Sequence, residues 1–343
     1  MQLSIILLAY NVDNYITQSI ESILKLDVNY QLIIVIGLSN DNTDNIVHNF
    51  EKKCKNIIVI HQDGQGISNA KNCGLKYATG DFVVFFDGDD YIISDKLNNI
   101  LNNIIYKKNF DIAISDYNFF YDGNNVLFCS NQLKNISKVN NNRKKMDFFL
   151  KKKKAFWNTW RYIYKRDFLL ENKLFFTEGI YAEDLEHTTR VFVKAKKILF
   201  LKDSYYCYRL DRQGSLMNSI SECKLADTIN VIEKSINYIY DEKYIYKKKI
   251  YKQYIKEFIL NIELISNFNN DEIKDIVNFV RTKIYLLKKE KCIFSMFFYI
   301  NIYIFGLNNI INALSIMRKI KRKIKKFRNG LFKKILQIQK FVN

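Results

Sequence analysis

The sequence predicts an α/β fold, in which a mostly parallel sheet with flanking helices is followed by a helical C-terminal region. Short apolar runs without polar alternation recur along the first half of the chain, as in strands that are covered on both faces. Segments with the apolar spacing of helices separate these runs, which is typical of parallel sheets. From about residue 222 to residue 290 the spacing is helical throughout.

The first apolar run, residues 3–8, predicts a strand rather than a signal peptide, because it is short and no basic segment precedes it. Residues 15–24 have the spacing of an amphipathic helix. Ligands of such sheets bind beyond the carboxyl ends of the strands, where Tyr10, Asn11 and Asp87 would lie. Further strands are predicted at 32–36, 57–60, 82–86, 112–115, 198–201 and 205–210, and further helices after the turn 39–44 and over 67–78.

The run 82–86 leads into a cluster of carboxylates, Asp87, Asp89 and Asp90, and Gly88 allows the backbone to turn there. Without a partner these charges would repel one another, and they would be costly beside an apolar strand. A hard divalent cation, Mg²⁺ or Mn²⁺, held by one or two carboxylates and by substrate phosphates, fits this arrangement. The alternative interpretation is an acidic surface turn with solvated side chains.

The chain of 343 residues carries 54 Lys and Arg against 35 Asp and Glu, a formal net charge of +19, and contains no proline. Heavy use of Lys, Asn and Ile is the bias of an AT-rich genome, so the charge is informative only where it is locally concentrated. Six cysteines without a CxxC pair and only three histidines argue against a zinc site or a disulfide framework. They favour a reducing cytoplasm.

Positive charge is concentrated at the C-terminal end, where no acidic residue follows Glu290. Residues 293–317 are uncharged and apolar, and residues 318–334 are densely basic with apolar residues at helical spacing. We expect a helix or helical hairpin on an anionic membrane surface. A membrane span would be long enough, but four asparagines and the basic residues on both sides argue against it. The alternative is a helix packed on the protein, and no nucleic acid partner is expected.

Taken together, the ordered motifs resemble the family 2 glycosyltransferases, which have the Rossmann-like GT-A fold. The resemblance covers roughly residues 2–210 and rests on the order of the motifs rather than on any one of them. The segment from Trp157, with Glu183-Asp184 after it, is most similar to bacterial enzymes that build lipooligosaccharide or capsule. The matching segments are 4–11, 42–43, 66–75, 78–81, 87–90, 157–165 and 182–184.

The resemblance implies an inverting, metal-dependent hexosyltransferase whose donor is a nucleotide diphosphate sugar, most often linked to uridine diphosphate. Asp89 would coordinate the metal that bridges the diphosphate, and Asp87 would lie near the ribose and the metal. A divalent cation offsets the charge that the diphosphate gains as the glycosidic bond breaks. Asp184 matches the catalytic base, which takes the proton of the acceptor hydroxyl during one direct displacement.

The resemblance also implies supporting residues around the base. Glu183 is the neighbour of Asp184, and Trp160 would support the base or the acceptor. The alternative for the acidic segment 183–186 is an ordinary helix N-terminus, where acidic side chains are favoured by the helix dipole.

Several residues match positions that contact the donor in this family. Tyr10 and Asn11 would border the nucleoside, with base stacking beside Tyr10, or they would form an ordinary strand-to-helix turn. Gly88 belongs to the metal-binding turn. Lys71 would approach the diphosphate, or it is a surface lysine, and Arg209 would close over the phosphates.

The sequence departs from the family after the second strand, where two acids usually occur and one of them reads the base. Ile36 and Gly37 stand at these positions. Asp41 or Asp44 would take that role, backbone groups would read the base, or the donor is not a uridine nucleotide. Two alternatives therefore stay open, a degenerate GT-A protein that binds glycan or membrane without catalysis, and a related transferase with a non-uridine donor.

We expect three regions along the chain. Residues 1–215 would form the nucleotide-sugar-binding catalytic domain, 216–290 a helical region, and 291–343 a basic, amphipathic, membrane-associating tail. The acceptor would be a hydroxyl of a glycan or glycolipid precursor of the cell surface. We expect a cytoplasmic protein, peripherally associated with the inner face of the plasma membrane, and homo-oligomer formation stays open.

Overall fold

The computed structural model describes residues 2–105, 109–121, 126–139, 141–151, 156–210, 221–268, 270–290 and 292–320. It confirms the predicted α/β fold with a helical C-terminal region. The strands are β1 (Leu3–Ala9), β2 (Tyr30–Ile36), β3 (Ile57–His61), β4 (Phe82–Asp87), β5 (Tyr91–Ile92), β6 (Ile112–Tyr121), β7 (Val126–Cys129), β8 (Tyr162–Lys165) and β9 (Ile198–Leu210).

Helices connect these strands and continue beyond the last of them. The helices up to β9 are α1 (Ile16–Leu24), α2 (Thr43–Glu51), α3 (Gly66–Tyr77), α4 (Ser94–Ile105), α5 (Asn142–Lys151), α6 (Arg166–Glu171) and α7 (Glu183–Lys194). The later helices are α8 (Glu222–Asp241), α9 (Lys247–Leu264), α10 (Asn270–Lys283), α11 (Ile293–Phe305) and α12 (307–320). Short 3₁₀ turns occur at Ile136–Lys138, Thr159–Arg161, Ile265–Asn267 and Ile284–Lys288.

The described strands form one sheet in the order β3-β2-β1-β4-β8-β6-β9-β5, and β7 pairs with β6. The first four strands are parallel to one another, as predicted. Every residue of β1 is buried, which explains its lack of polar alternation. The register pairs Ala9 with Ile36, Ile36 with His61, and Leu8 with Asp87, so all four strands end at the same edge of the sheet.

The other half of the sheet is mixed rather than parallel. β8 pairs antiparallel with both β4 and β6, while β9 runs parallel to β6 and antiparallel to the short β5. This pairing brings the end of β9 beside the turn that follows β4. The aromatic side chains of β9 thereby enter the core, where Tyr205 and Tyr206 are fully buried.

The chain divides into two compact units, Met1–Ser219 with Lys234–Lys249, and Ile220–Glu233 with Ile250–Asn343. Two ion pairs join residues 234–249 to the rest of the first unit. Lys194 Nζ lies 3.1 Å from Glu242 Oε1, and Lys249 pairs with Asp147. The boundaries that we place at residues 215 and 290 stay predictions.

The second unit ends in two successive helices, α11 and α12, in its described part. They are separated at Gly306, whose φ of 78° lies in the left-handed region that favours glycine. Large apolar side chains of α11 are exposed, among them Ile293 at 93% and Tyr303 at 82%. Within the described ranges, no helix combines the length and the hydropathy that a membrane crossing requires. Most of the basic segment 318–334, from residue 321 on, lies outside the described residues.

Candidate active site

The carboxylate cluster follows β4 at the common edge of the parallel strands. Gly88 donates its N–H to the carbonyl oxygen of Leu8 at 2.9 Å, which turns the chain across the end of β1. A Cβ atom on Gly88 would lie 2.6 Å from that same oxygen, closer than such atoms approach one another. Only glycine therefore fits this position without a shift of the backbone.

Asp90 anchors the turn from inside the protein. Its Oδ2 accepts a hydrogen bond from Tyr206 Oη at 2.6 Å, and its Oδ1 accepts from the Arg209 N–H at 2.7 Å. Arg209 also donates from Nε to the Asp89 carbonyl oxygen at 2.6 Å, and it is 5% exposed. Trp160 is buried and stacks on Tyr206 with the ring centroids 4.5 Å apart, so it supports the turn from beneath.

The same turn has the donor set of a divalent cation site. One carboxylate oxygen from each of Asp87, Asp89 and Asp90 lies within 4.8 Å of the others. Burial and the charge of Asp89 raise the pKa of Asp87 to about 7, although Lys71 opposes the effect. Burial and the charges of Asp89 and Asp87 raise the pKa of Asp90 well above its usual range. A hard cation would relieve this repulsion, and because Asp90 already accepts two hydrogen bonds, Asp87 and Asp89 fit best as its ligands.

The second acidic cluster lies at the N-terminus of α7, where Ala182 has a left-handed φ of 60°. Lys71 Nζ lies 2.5 Å from Asp184 Oδ1 and 3.0 Å from Glu183 Oε1. Thr159 Oγ1 donates to Asp184 Oδ1 at 2.9 Å. The Asp184 side chain is 25% exposed against 2% for Lys71, so the carboxylate is held from the inside and remains open to solvent.

Lys71 connects the two acidic clusters. Burial alone would lower its pKa, but the charges of Asp184, Glu183 and Asp87 outweigh that effect and raise the pKa. Burial raises the pKa of Glu183, although Lys71 opposes the rise. Lys71 is therefore a buried cation that compensates carboxylates from both clusters, not the surface lysine of the alternative interpretation.

The polar face of α3 fixes the chain that leads into α7. Asn72 Nδ2 donates to Glu178 Oε1 at 3.0 Å, and Asn72 Oδ1 accepts from the Phe176 N–H at 2.8 Å. Asn69 Nδ2 donates to the other Glu178 oxygen at 3.2 Å. These contacts span more than a hundred residues of sequence and position the acidic start of α7 against α3.

The turns after β1 and β2 form the other end of the same sheet edge. Tyr10 is 48% exposed, and its ring covers Gly37, where a Cβ atom would lie 3.0 Å from Tyr10 Cδ2. Asn11 has a left-handed φ of 49°, and its Oδ1 accepts from the Asn40 N–H at 2.8 Å. An exposed aromatic ring at the carboxyl end of β1 is available for stacking with a nucleobase.

Asp41 joins these two turns. Its Oδ2 accepts from the Asp13 N–H and its Oδ1 from the Thr43 N–H, both at 3.0 Å. Burial raises its pKa, but the hydrogen bonds outweigh burial and lower it overall. Its geometry is that of a carboxylate that holds the backbone, and its predicted contact with the base stays a prediction.

Gln62, directly after β3, is a residue that the sequence pattern does not single out. Its Oε1 lies 3.5 Å from the place that a Gly37 Cβ atom would occupy, beside the Tyr10 ring. Its Nε2 donates to the Gly64 carbonyl oxygen at 2.9 Å, which orients the amide. The structure therefore has an amide, rather than a carboxylate, near the position where an acid is usual. The sequence pattern does not single out Thr159 or Tyr206 either, because only tertiary contacts bring these residues to Asp184 and Asp90.

Comparison with known proteins identifies the architecture around these clusters. The family model described as glycosyl transferase family 2 matches residues 4–180. Glycosyltransferase GlyG of Streptococcus pneumoniae is 28% identical over 246 residues, which cover 68% of this chain and 79% of that protein. Poly(ribitol-phosphate) beta-N-acetylglucosaminyltransferase TarS of Staphylococcus aureus is 26% identical over 224 residues, covering 64% of this chain and 37% of that protein.

Among solved structures, residues 1–349 of S. aureus TarS in complex with UDP-GlcNAc superpose with a TM-score of 0.71. The superposition covers 93% of this chain and 92% of that chain at 21% identity. This likeness concerns the fold, and the family match covers more than half of the residues. The chain therefore belongs to glycosyl transferase family 2, and it is a glycosyltransferase with the GT-A fold.

Proposed function

We propose that the protein is an inverting, metal-dependent hexosyltransferase that uses a nucleotide diphosphate sugar. One observation carries the proposal: the carboxylates after β4 and the carboxylates that begin α7 share a single buried cation, Lys71. The charges of Asp184 and Glu183 also act on Asp87, so the two clusters lie within electrostatic reach of each other. This arrangement supports a donor bound at one cluster and a base at the other.

In this mechanism Asp87 and Asp89 would hold Mg²⁺ or Mn²⁺, which supplies charge compensation for the leaving diphosphate. Asp184 accepts the proton of the acceptor hydroxyl while that oxygen forms a bond to the anomeric carbon. The bond from the anomeric carbon to the diphosphate oxygen breaks in the same displacement, so the configuration inverts. Lys71 and Thr159 keep the Asp184 carboxylate in one orientation throughout.

The donor that we propose is a uridine nucleotide. Tyr10 offers its exposed ring for stacking, and Gln62 Oε1 offers an acceptor for the imide N–H that an acid usually reads. TarS, which shares the fold, is described in complex with UDP-GlcNAc. Arg209 forms hydrogen bonds with Asp89 and Asp90 in the turn after β4. We propose that it contributes to phosphate binding by holding this turn in position.

Calorimetric titration tests the donor. We expect UDP-linked hexoses to bind in Mn²⁺ or Mg²⁺, and to lose affinity when EDTA removes the metal. A Gln62→Leu variant should bind them about tenfold more weakly, because one hydrogen bond to the base is lost. Gln65→Leu, an exposed change three residues away, is the control. Selective binding of cytidine donors would overturn the uridine assignment, and an absence of binding by all donors would favour a degenerate protein.

We propose a hydroxyl of a cell-surface glycan or polyol phosphate precursor as the acceptor, and an anionic membrane surface as its location. The relatives include the poly(ribitol-phosphate) transferase TarS, which supports an acceptor of this class. Exposed Phe297 and Ile304 on α11, with a sequence free of acids after Glu290, support the membrane surface. The inner face of the plasma membrane would then bring the enzyme to a lipid-linked acceptor.

Vesicle flotation tests the membrane proposal. We expect the protein to bind vesicles that contain phosphatidylglycerol and not to bind vesicles of pure phosphatidylcholine. Binding should weaken as the salt concentration rises, because salt screens the attraction between the charges. Changing both Phe297 and Ile304 to Glu should weaken binding by about tenfold or more, because two apolar contacts with the bilayer are lost. The matched control is Leu260→Glu on α9, since that side chain is also half-exposed. Equal loss in the control would contradict the assignment of this surface.

A further inference from the structure

The first turns of α2 and the end of β3 bring together Asp44, His48 and His61, away from the carboxylates of the proposed donor site. His48 Nε2 lies 3.8 Å and His61 Nε2 lies 4.0 Å from Asp44 Oδ1. The three ligand atoms all lie within 4.8 Å of one another. We propose that these residues, hereafter the His–His–Asp site, bind a transition metal ion such as Zn²⁺.

The orientation of His48 is that of a metal ligand supported by a second residue. His48 Nδ1 lies 2.9 Å from Glu51 Oε2, one turn further along α2. Since the carboxylate accepts, Nδ1 carries a proton, and Nε2, which lies on the side of Asp44, is the nitrogen that would bind a metal ion. The other Glu51 oxygen accepts from the Val59 N–H at 3.2 Å, which fixes Glu51 against β3. A carboxylate behind a histidine is the usual outer contact of zinc ligands in proteins.

The contacts of Asp44 favour a ligand over a surface ion pair. Its Oδ1 atom is buried and has no hydrogen-bond partner among the described residues, although two imidazoles face it. An unsatisfied buried acceptor is costly, and a metal ion would satisfy it. The side chains keep enough exposure for an ion to enter, from 38% for His48 to 60% for His61.

The chemistry of the donor atoms selects the class of metal. Imidazole nitrogen suits Zn²⁺ and related first-row ions, whereas Mg²⁺ prefers oxygen ligands. Tetrahedral zinc with bonds near 2 Å has ligand atoms about 3.3 Å apart. To reach this spacing, each imidazole nitrogen must move closer to Asp44 Oδ1 by less than about 1 Å, and the two nitrogens closer to each other by at most about 1.5 Å. Rotation of partly exposed side chains allows such movements. Three protein ligands leave a fourth position for water or for another ligand.

This site stands apart from the proposed transferase activity. It links α2 to the edge strand β3, so bound metal stabilises the outer edge of the sheet. His61 is followed directly by Gln62, and the site therefore lies beside the nucleoside end of the sheet edge. The sequence argued against a zinc site because it has no CxxC pair and only three histidines. That argument does not apply to the His–His–Asp site, because its ligands come from two separate elements and contain no cysteine.

Calorimetry and cobalt spectroscopy test the proposal on the full-length protein. Excess Mg²⁺ fills the carboxylate site, and Cys129 and Cys223, which are exposed, are changed to Ser so that thiols do not bind zinc. We expect one Zn²⁺ per chain, a rise in the melting temperature with Zn²⁺, and visible d–d absorption when Co²⁺ replaces it. His48→Gln and His61→Gln should each weaken Zn²⁺ binding by about 100-fold, because each removes a ligand. Glu51→Gln should weaken it by roughly 10-fold, because it removes only the carboxylate behind His48.

The outcomes separate a built site from surface binding. Asp44→Asn should weaken Zn²⁺ binding, whereas Asp27→Asn, an exposed change of equal charge, should not. The proposal is overturned if Zn²⁺ fails to bind, or if binding is unchanged in both histidine variants. Because His48 and His61 are partly exposed, their variants should stay folded, and far-ultraviolet circular dichroism checks this.

Discussion

Changing Asp89 to alanine is expected to lower sugar transfer by on the order of 10³-fold, because the turn loses a ligand for the cation that compensates the leaving diphosphate. The substitution keeps the Asp89 carbonyl oxygen that accepts from Arg209 Nε, so the turn retains its backbone anchor. Product formation in single-turnover assays, with Mn²⁺ varied, measures the loss.

The stability of this variant separates a metal role from a structural one. Asp89 contributes to the raised pKa of both Asp87 and Asp90, so its removal relieves repulsion. The metal-free variant should therefore unfold at a urea concentration equal to or higher than that of the wild type. Asp95→Asn, an exposed acid on α4, is the charge-matched control. Transfer at the normal rate by the Asp89 variant would remove Asp89 from the proposed site.

Changing Asp184 to asparagine is expected to lower the rate of transfer by about 10²–10⁴-fold, because the acceptor hydroxyl loses its general base. The asparagine amide oxygen can still accept from Thr159 Oγ1, so the start of α7 should keep its position. Donor affinity should change much less than the rate, since Asp184 reaches the donor site only through its charge on Asp87 and Lys71. Rates are measured at saturating donor and compared with calorimetric donor affinity.

Glu186 offers a control for this substitution within the same helical turn. Its Oε1 lies 2.6 Å from Arg190 Nε, so Glu186→Gln removes a charge from α7 without touching Lys71 or Thr159. We expect this variant to retain most of the activity, because Glu186 contacts neither Lys71 nor Thr159 and the amide oxygen of glutamine can still accept from Arg190. A similar loss of activity in both variants would point to the helix N-terminus rather than to Asp184 as the important feature.

Most of the first half of the fold could be predicted because β1, β2 and β4 are buried on both faces. Such strands have uninterrupted apolar runs, and the runs at β1, β2 and β4 lie within the observed strands. The mixed half could not be predicted, since the direction of β8 and β9 depends on pairings distant in sequence. Tyr162–Lys165 is too short to carry a pattern, yet it pairs with both β4 and β6.

In the candidate site too, features that one stretch of sequence determines could be predicted, and features that depend on distant residues could not. Asp87 and Asp89 could be placed from sequence because one strand leads directly into both. The environment of Asp184 could not, because Lys71 reaches it across more than a hundred residues. The role of Gly37 became visible only in three dimensions, where the Tyr10 ring occupies the space that a side chain at that position would need.

Residues 234–249 belong to the first unit although they follow β9 by more than twenty positions. A protein truncated after residue 215 would therefore leave Lys194 and Asp147 without Glu242 and Lys249. For recombinant expression, a fragment that contains the whole first unit must therefore extend to Lys249, and it carries along the intervening residues 220–233, which belong to the second unit.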